Sequence, residues 1–472
     1  MKNSIYIILI CLLTVACDDI FEGINNDPNN PTSASFQNIL TGAEVGNMIL
    51  QAGETARRAG IFAGYYTGID RQHLGFSQYT VTTSDFDNIW DDAFVNTLRN
   101  ARVAEEAAVE QGIEGVSIGI TQVLQAMTFG TATSLYGDIP FDEARFDVEN
   151  PQFEDQEVVY GKVQTLLDQA IANLQLGTGR PPSGSDIYLD GDPQKWIEVA
   201  YTLKARYYMH TREYASAYNA AQNGVSAMDN GLFGPHGTGL DESNLNYQFF
   251  AVYSRASDLK TSDFMASLVA SDAAVSPDIN NYRGNAKTDE TARWNYLFAV
   301  TGVGIQPNTV DGFAAQTAST SLVTYEENLL ILAEAGFRNG GFNTGLQHLN
   351  EFRAYMNAGG YLSNANPADI QYIAYDASDF ANGGIENSDN ISSDNALLRE
   401  IMEERFVTFF GQIEGFNDTR RTENEPVVRI HTTPNVGSDF PQRFIYPQTE
   451  IDRNSNTPNP IPNFFEPTRV NQ

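Results

Sequence analysis

Apolar side chains recur at the spacing of an α-helix along most of the chain, and this pattern constrains the fold more than any other sequence feature. After Asp192-Pro193, one face of a predicted helix carries Trp196, Val199 and Leu203. Asp before Pro is a typical helix start, because the carboxylate caps the first amides and Pro fits the first helical position. The same spacing predicts helices in these further segments: 93–110, 116–135, 159–174, 214–228, 325–336, 346–356 and 394–413.

Two of these helices flank a glycine turn, which indicates how helices pair. Asn339-Gly340-Gly341 lies between the stripes at 325–336 and 346–356. A helix, a turn and a second helix over about 34 residues is the repeat unit of tetratricopeptide proteins. The sequence therefore predicts an all-α, mainly helical fold on a tetratricopeptide-like scaffold of helix pairs, with degenerate and unevenly spaced repeats.

Three long segments, near residues 61–92, 232–322 and 358–392, show no clean period. They are rich in Tyr, Phe, Asn, Asp, Ser and Gly. Such long irregular stretches are uncommon in compact domains unless they have a function or small structures of their own. We therefore expect irregular inserts on a helical scaffold.

The chain is strongly acidic. Its 60 Asp and Glu residues outnumber 28 Lys and Arg residues, which gives a net charge of −32. Such a field repels phosphate backbones, so nucleic acid is not an expected partner, and it also disfavours docking on an anionic membrane. Strongly anionic ligands are less expected for the same reason, unless the site is locally basic.

The first 17 residues are typical of an exported lipoprotein. Residues 5–16 are almost wholly apolar, but a helix of that length spans about 18 Å, short of the ~30 Å hydrocarbon core of a bilayer. The segment therefore fits a signal peptide. Leu13-Thr14-Val15-Ala16-Cys17 resembles a bacterial lipobox, with Cys17 as the lipidation site. An ordinary signal peptide cut elsewhere is the alternative.

These features predict the organisation of the whole chain. Residues 1–16 are the signal peptide, 17–35 a polar, turn-rich tether, and 36–472 the helical domain with its inserts. Asp18, Asp19 and Glu22 resemble the surface-export signal of Bacteroidetes lipoproteins, although in other bacteria Asp at this place favours inner-membrane retention. No later window is apolar enough to span a membrane, so we expect the lipid to be the membrane attachment.

No catalytic or metal motif is recognisable. The only cysteines are Cys11 and Cys17, so the body of the chain has no disulfide framework, cysteine metal site or thiol nucleophile. The five histidines do not have metal-ligand spacing, and no Gly-x-Ser-x-Gly or phosphate-binding glycine loop is present. The expectation is a protein without catalysis, metal or cofactor, although counting carboxylates does not rule out a glycosidase pair.

Several segments resemble the SusD/RagB outer-membrane lipoproteins of Bacteroidetes, in the family's order and over nearly the whole chain. The segments are Asn-Asp-Pro-Asn-Asn-Pro at 26–31, Tyr-Gly-Asp-Ile-Pro at 136–140, Leu-Lys-Ala-Arg at 203–206, the helix from Tyr325 to Ala335, Asn-Asp-Thr-Arg-Arg-Thr at 417–422 and Arg-Phe-Ile-Tyr-Pro-Gln at 443–448. Gln412-Ile413-Glu414-Gly415-Phe416 departs from the Glu-Gly-x-Arg pattern of many relatives, which places the chain in a divergent SusD-like branch.

The resemblance implies a cell-surface protein that captures a nutrient, usually a glycan, without cleaving it. Its implied partner is a SusC-type TonB-dependent transporter in the outer membrane, over which the lipoprotein sits as a hinged lid. The tetratricopeptide-like pairs would pack on that partner, while the irregular inserts would hold the ligand, as part of polysaccharide utilization.

A glycan site needs exposed aromatic rings for the C–H faces of sugars, beside polar groups that bind hydroxyls. Trp196 lies on the apolar stripe of a helix and is expected in the core. Trp90 lies at the start of a helix, and the resemblance implies that it also packs in the core. The candidate ligand contacts come from the first two inserts: Trp294, Tyr296, Tyr282 and Tyr253 in the longer one, Arg71 and His73 in the other.

Other functions stay open at this stage. The same fold and partner would suit oligopeptide binding, as in RagB-like members. A tetratricopeptide lipoprotein for envelope assembly, or a surface hydrolase, belongs to a different class. The sequence names neither the glycan nor its linkage.

Overall fold

The computed structural model describes residues 35–145, 147–253, 255–430 and 433–472. The predicted signal peptide, Cys17 and all but the last residue of the predicted tether lie outside the described residues. The described chain is mainly helical, which confirms the predicted fold class.

The helices alternate with short strands along the chain. The α-helices are α1 (Phe36–Ala52), α2 (Glu54–Phe62), α3 (Arg71–Ser77), α4 (Asp87–Asp91), α5 (Arg99–Glu110), α6 (Val116–Tyr136), α7 (Gln156–Gln175), α8 (Pro193–His210), α9 (Tyr214–Ala221), α10 (Leu245–Tyr247), α11 (Asp263–Val269), α12 (Thr291–Leu297), α13 (Tyr325–Gly340), α14 (Phe342–Asn357), α15 (Ser393–Thr408), α16 (Glu414–Arg421) and α17 (Gln448–Arg453). The strands are β1 (Tyr66–Gly68), β2 (Leu232–Gly234), β3 (Leu259–Thr261), β4 (Thr288–Asp289), β5 (Phe298–Thr301), β6 (Gly304–Pro307), β7 (Thr320–Val323) and β8 (Gln371–Tyr372). 

Short π-helical and 3₁₀ turns lie between these elements. The π-helical turns are Asp92–Leu98 and Gln248–Val252, and the 3₁₀ turns are Thr83–Phe86, Met228–Asn230, Leu240–Glu242, Ala256–Asp258, Ile279–Asn281, Pro367–Asp369, Ala377–Phe380 and Arg469–Asn471.

The scaffold is a series of helices in which neighbours along the series pack on each other. Its order in space is α6, α7, α8, α9, α13 and α14, and α15 packs on both α13 and α14. The turn between α13 and α14 contains Gly341, which has a φ of +81°, a conformation that favours glycine. The predicted helix, glycine turn and helix are therefore present.

The start of α8 follows the sequence prediction in atomic detail. Asp192 is the N-cap, and its side chain accepts hydrogen bonds from the backbone amides of Gln194 and Lys195. Trp196 is fully buried, and Trp90 is almost so, as expected for core residues.

Two predicted helices end early. The stripe at 214–228 is helical only to Ala221, because Asn328 bonds the carbonyls of Ala221 and Val225, and the Thr202 hydroxyl accepts the amide of Val225. Side chains thus satisfy the backbone groups that a longer helix would have paired. The segment predicted at 394–413 ends at Thr408, and Gly411 follows with a φ of +80°.

The inserts contain short elements that join distant parts of the chain. Antiparallel pairing of β1 with β3 links the insert at 61–92 to that at 232–322. The β4–β8 pair links the latter to the insert at 358–392. The remaining pairs, β2 with β7 and β5 with β6, lie within or beside the longest insert. The inserts are therefore fixed to one another.

Buried ion pairs connect the C-terminal helices. Arg421 pairs with Glu334 and Asp418, while Arg420 donates to the carbonyl oxygens of Phe416 and Gln442. The Asn417–Thr422 motif therefore has a structural role here. Within the part of the chain that the structure describes, no helix has the length and apolarity needed to cross a bilayer.

Candidate functional site

A cleft of 1240 Å³ lies between the scaffold and two of the inserts. One wall is the segment 183–190 before α8, together with Lys195 at the start of that helix. The opposite wall combines Tyr296 with the segment 310–321 and with Tyr361 and Ser363. The segment 228–233 completes the lining.

The first wall is held in place by buried carboxylates. Asp186 accepts hydrogen bonds from the amides of Tyr188, Leu189 and Gly191 and from the indole nitrogen of Trp196. Glu44 of α1 accepts the amide of Ile187 at 2.9 Å, and its pKa is raised because its carboxyl is buried and lies near Asp186. The loop is therefore fixed by groups behind it, which leaves its outer face free for a ligand.

The opposite wall is held by an amide network. Asn308 donates from Nδ2 to the carbonyl oxygen of Asn295 at 2.8 Å and to the Asp311 carboxylate at 2.9 Å. Asn364, from the insert at 358–392, also donates to Asp311. This network connects two inserts at the edge of the cleft.

Two tyrosine rings form the aromatic part of this wall. The rings of Tyr296 and Tyr361 meet edge to face, with centroids 5.8 Å apart. Burial raises the pKa of Tyr361 to about 12 and also raises that of Tyr296. Both phenols are therefore neutral at physiological pH and keep their protons for hydrogen bonding.

The cleft combines the groups that a glycan site requires. The half-buried rings of Tyr188 and Phe233 complement those of Tyr296 and Tyr361. Three exposed carboxylates, of Asp190, Asp229 and Asp311, lie beside serine and threonine hydroxyls, while Lys195 is the cleft's cation. Rings can contact sugar C–H faces while carboxylates accept sugar hydroxyls.

The candidate ligand contacts predicted from sequence lie in several parts of the structure. Tyr296 is the one among them that lines the cleft. Trp294 is half-buried in α12, with its ring 5.5 Å from that of Phe298. The hydroxyl of Tyr282 accepts the backbone amide of Glu290. Binding of ligand by Trp294 and Tyr282 stays a prediction.

Arg71 and His73 meet at a buried carboxylate. Arg71 Nε lies 3.3 Å from Oδ1 of Asp258, and His73 Nδ1 lies 3.7 Å from Oδ2. His73 is buried against the Phe249 ring, and burial together with nearby arginines lowers its pKa to about 3. The imidazole is therefore neutral at physiological pH. Tyr253, which is 52% exposed, lies at the end of the π-helical turn that contains Phe249.

Sequence patterns missed Tyr188, Phe233 and Tyr361. Tyr188 lies just before the Asp192-Pro193 helix start. That position was the available signal, because a helix cap fixes the segment that precedes it. Phe233 and Tyr361 reach the cleft through long-range strand pairs and insert contacts, which have no local signal. Among the described residues, no group of three or more His, Cys, Asp or Glu is arranged to hold a metal ion.

Comparison with known families identifies the chain. Residues 28–447 match the family model SusD-like_2, which is described as starch-binding and associating with the outer membrane. The chain belongs to this SusD-like family. The resemblance drawn from its short motifs is thereby confirmed. None of the curated proteins matches the sequence.

Solved SusD-like structures share the fold at low sequence identity. A SusD/RagB family protein from Bacteroides thetaiotaomicron is 20% identical with a TM-score of 0.67, over 90% of this chain and 95% of that chain. A SusD homolog from Bacteroides fragilis is 18% identical with a TM-score of 0.66, over 93% and 100%. A chitin-binding SusD homolog from Flavobacterium johnsoniae is 17% identical with a TM-score of 0.63, over 92% and 98%. 

Proposed function

We propose that this SusD-like protein is a non-catalytic, cell-surface lipoprotein that binds a glycan in the cleft and delivers it to a SusC-type TonB-dependent transporter. The observation that carries the proposal is the cleft itself, where four half-buried aromatic rings lie beside three exposed carboxylates and several hydroxyls. Shallow contacts of this kind give affinities from millimolar to micromolar, about −4 to −8 kcal/mol, which suits capture followed by release.

The family supports a binding role at the outer membrane, and one similar structure is described as chitin-binding. Chitin is a neutral polysaccharide, which agrees with a cleft where carboxylates outnumber cations. Residues 1–16 would act as the signal peptide, Cys17 would receive the lipid, residues 17–35 would be the tether, and residues 36–472 would bind ligand and transporter.

Calorimetry with a panel of neutral glucans, mannans, xylans and chitin oligosaccharides tests the site. We expect heat with one class of glycan, and a loss of about tenfold in affinity for Tyr361→Ala and Phe233→Ala, which remove rings from different parts of the cleft. Tyr208→Ala, on the scaffold helix α8 and outside the cleft, is the matched control and should bind normally. Unchanged affinity in both cleft variants would show that the glycan binds outside the cleft.

The same titration separates the alternatives. A loss of affinity in Trp294→Ala or Tyr282→Ala would show that the ligand extends beyond the cleft. Heat with mixed oligopeptides and none with glycans would favour the RagB-like function. Release of reducing ends from a bound polysaccharide by pure protein would overturn the non-catalytic assignment, and failure to co-purify with a TonB-dependent barrel would overturn the proposed partner.

A further inference from the structure

Arg57 of α2 is half-buried, and it makes no hydrogen bond or salt bridge with any residue that the structure describes. Its guanidinium lies 4.6 Å from the centre of the Phe249 ring. Its Nη1 is shielded from solvent and has no hydrogen-bond partner in the described part of the chain. Burial of the guanidinium lowers the pKa of Arg57 to about 10, and Arg58 and Arg255 contribute to that shift.

The buried arginines of the described chain each have at least one acid or carbonyl partner, although some of them also keep one nitrogen unpaired. Arg206 and Arg421 pair with Glu327 and Glu334. Arg443 instead donates to backbone carbonyl oxygens. A buried donor without a partner is costly, so native structures rarely keep one without a reason such as a bound group.

Further cations surround the same point. Arg71 and Arg255 both approach Asp258, with Arg255 Nε 2.6 Å from Oδ2, and their side chains remain 51% and 30% exposed. The neighbouring Glu54 is engaged by Arg58. Asp258 offsets the charge of two arginines by proximity, because neither of its oxygens makes a hydrogen bond within the described residues. Arg57 has no carboxylate of its own.

The hydroxyl of Tyr66 is also buried and has no hydrogen-bond partner among the described residues, and it lies near enough to Arg57 for each to shift the other's pKa. The exposed ring of Tyr253 lies two residues before Arg255. The surroundings of Arg57 thus offer unpaired donors, excess positive charge and an exposed ring, in a chain whose net charge is −32.

We propose that Arg57, Arg71 and Arg255 form a subsite that binds the carboxylate of a uronic acid in a glycan, with Tyr253 against the sugar ring. This proposal rests on glycan binding as the function, but it uses none of the residues that line the cleft. Guanidinium and carboxylate form short, charge-assisted hydrogen bonds, which explains the preference for an acidic sugar over a neutral one.

The test is calorimetry of the purified protein with oligomers of galacturonate, mannuronate and guluronate. Each is compared with the same oligomer after reduction of its carboxylates to primary alcohols. We expect at least one acidic oligomer to bind about tenfold more tightly than its reduced form, and salt to weaken this binding. Equal affinity for both forms, or no heat with any acidic oligomer, would overturn the proposal.

Variants locate the subsite. Arg57→Gln should lower the affinity for the acidic oligomer about tenfold, and Arg255→Gln and Arg71→Asn should lower it in the same direction. Asn suits position 71 because Arg71 has a φ of +50°. Arg453→Gln, an equal charge change on an exposed residue of α17, is the control and should bind normally. If Arg57→Gln fails to fold, the other two variants decide.

Two further outcomes separate this subsite from the cleft. Loss of neutral-glycan binding in Tyr361→Ala, with the acidic oligomer still bound, would support the subsite and separate it from the cleft. Binding of peptides with a free carboxyl terminus, but of no acidic oligomer, would overturn the assignment to a uronic acid.

Discussion

The buried carboxylate of Asp186 accepts a hydrogen bond of 2.7 Å from the indole nitrogen of Trp196. Trp196 belongs to the scaffold helix α8, whereas Asp186 lies in the loop that forms one wall of the cleft. The same oxygen accepts the amide of Gly191, also at 2.7 Å. The core of the scaffold therefore holds the loop that forms one wall of the cleft.

Replacing Asp186 should weaken both stability and binding. Asp186→Asn replaces one acceptor oxygen with a donor group, which leaves a buried amide or indole N–H unpaired, at a cost of about 1–3 kcal/mol. Urea denaturation should show that loss, and calorimetry should show weaker glycan binding at temperatures where the variant is still folded. Asp241→Asn, an exposed change of the same type, is the control and should leave both unchanged.

Breaking the buried ion pair of Arg206 and Glu327 should lower the free energy of unfolding, whereas replacing both residues with apolar ones should lower it much less. Arg206 donates from Nε and Nη2 to the two oxygens of Glu327, both at 2.6 Å. Arg206→Met leaves that carboxylate buried and unpaired, so we expect a loss of about 3–5 kcal/mol in urea denaturation. Arg206→Met with Glu327→Leu should recover much of the loss. A double variant as unstable as the single one would contradict this account.

Gly130 of α6 marks a close contact that only glycine allows. A Cβ at this position would lie 2.1 Å from Cζ of Tyr207, whose ring is buried against α6. Gly130→Ala should therefore cost about 1–3 kcal/mol through overpacking, despite the higher helix propensity of alanine. Thermal unfolding measures this effect. Gly161→Ala, in α7 where a Cβ meets no atom within 4 Å, is the control and should be neutral or stabilising.

The sequence predicted the parts of the fold that depend on local pattern. An apolar stripe and an Asp-Pro cap specify α8 with no help from distant residues. The end of α9 was not predicted, because Asn328 and Thr202 replace its helical hydrogen bonds from other helices. Local periodicity contains no information about hydrogen bonds from side chains of distant helices.

The site was predicted only in outline for the same physical reason. The residue types and the inserts that hold them follow from composition, and Tyr296 does line the cleft. The set of aromatic residues that face the cleft depends on strand pairs such as β4 with β8, whose members are far apart in the chain. Likewise, His73 is buried against Phe249 of another insert, a contact that has no local sequence signal.

Glu326 should make the protein less stable as pH rises towards neutrality. Burial raises the pKa of its carboxyl from 4.5 to about 7, so the folded state holds a proton that the unfolded state releases, and stability falls between those two pH values. Glu326→Gln removes the titration. We expect equal stabilities near pH 4 and a variant up to about 3 kcal/mol more stable at pH 8, measured by urea denaturation. Glu110→Gln, a change of the same type at an exposed residue of α5, is the control and should show no such pH-dependent difference. A Glu326→Gln curve parallel to that of the wild type across this range would show that Glu326 is already charged in the folded protein.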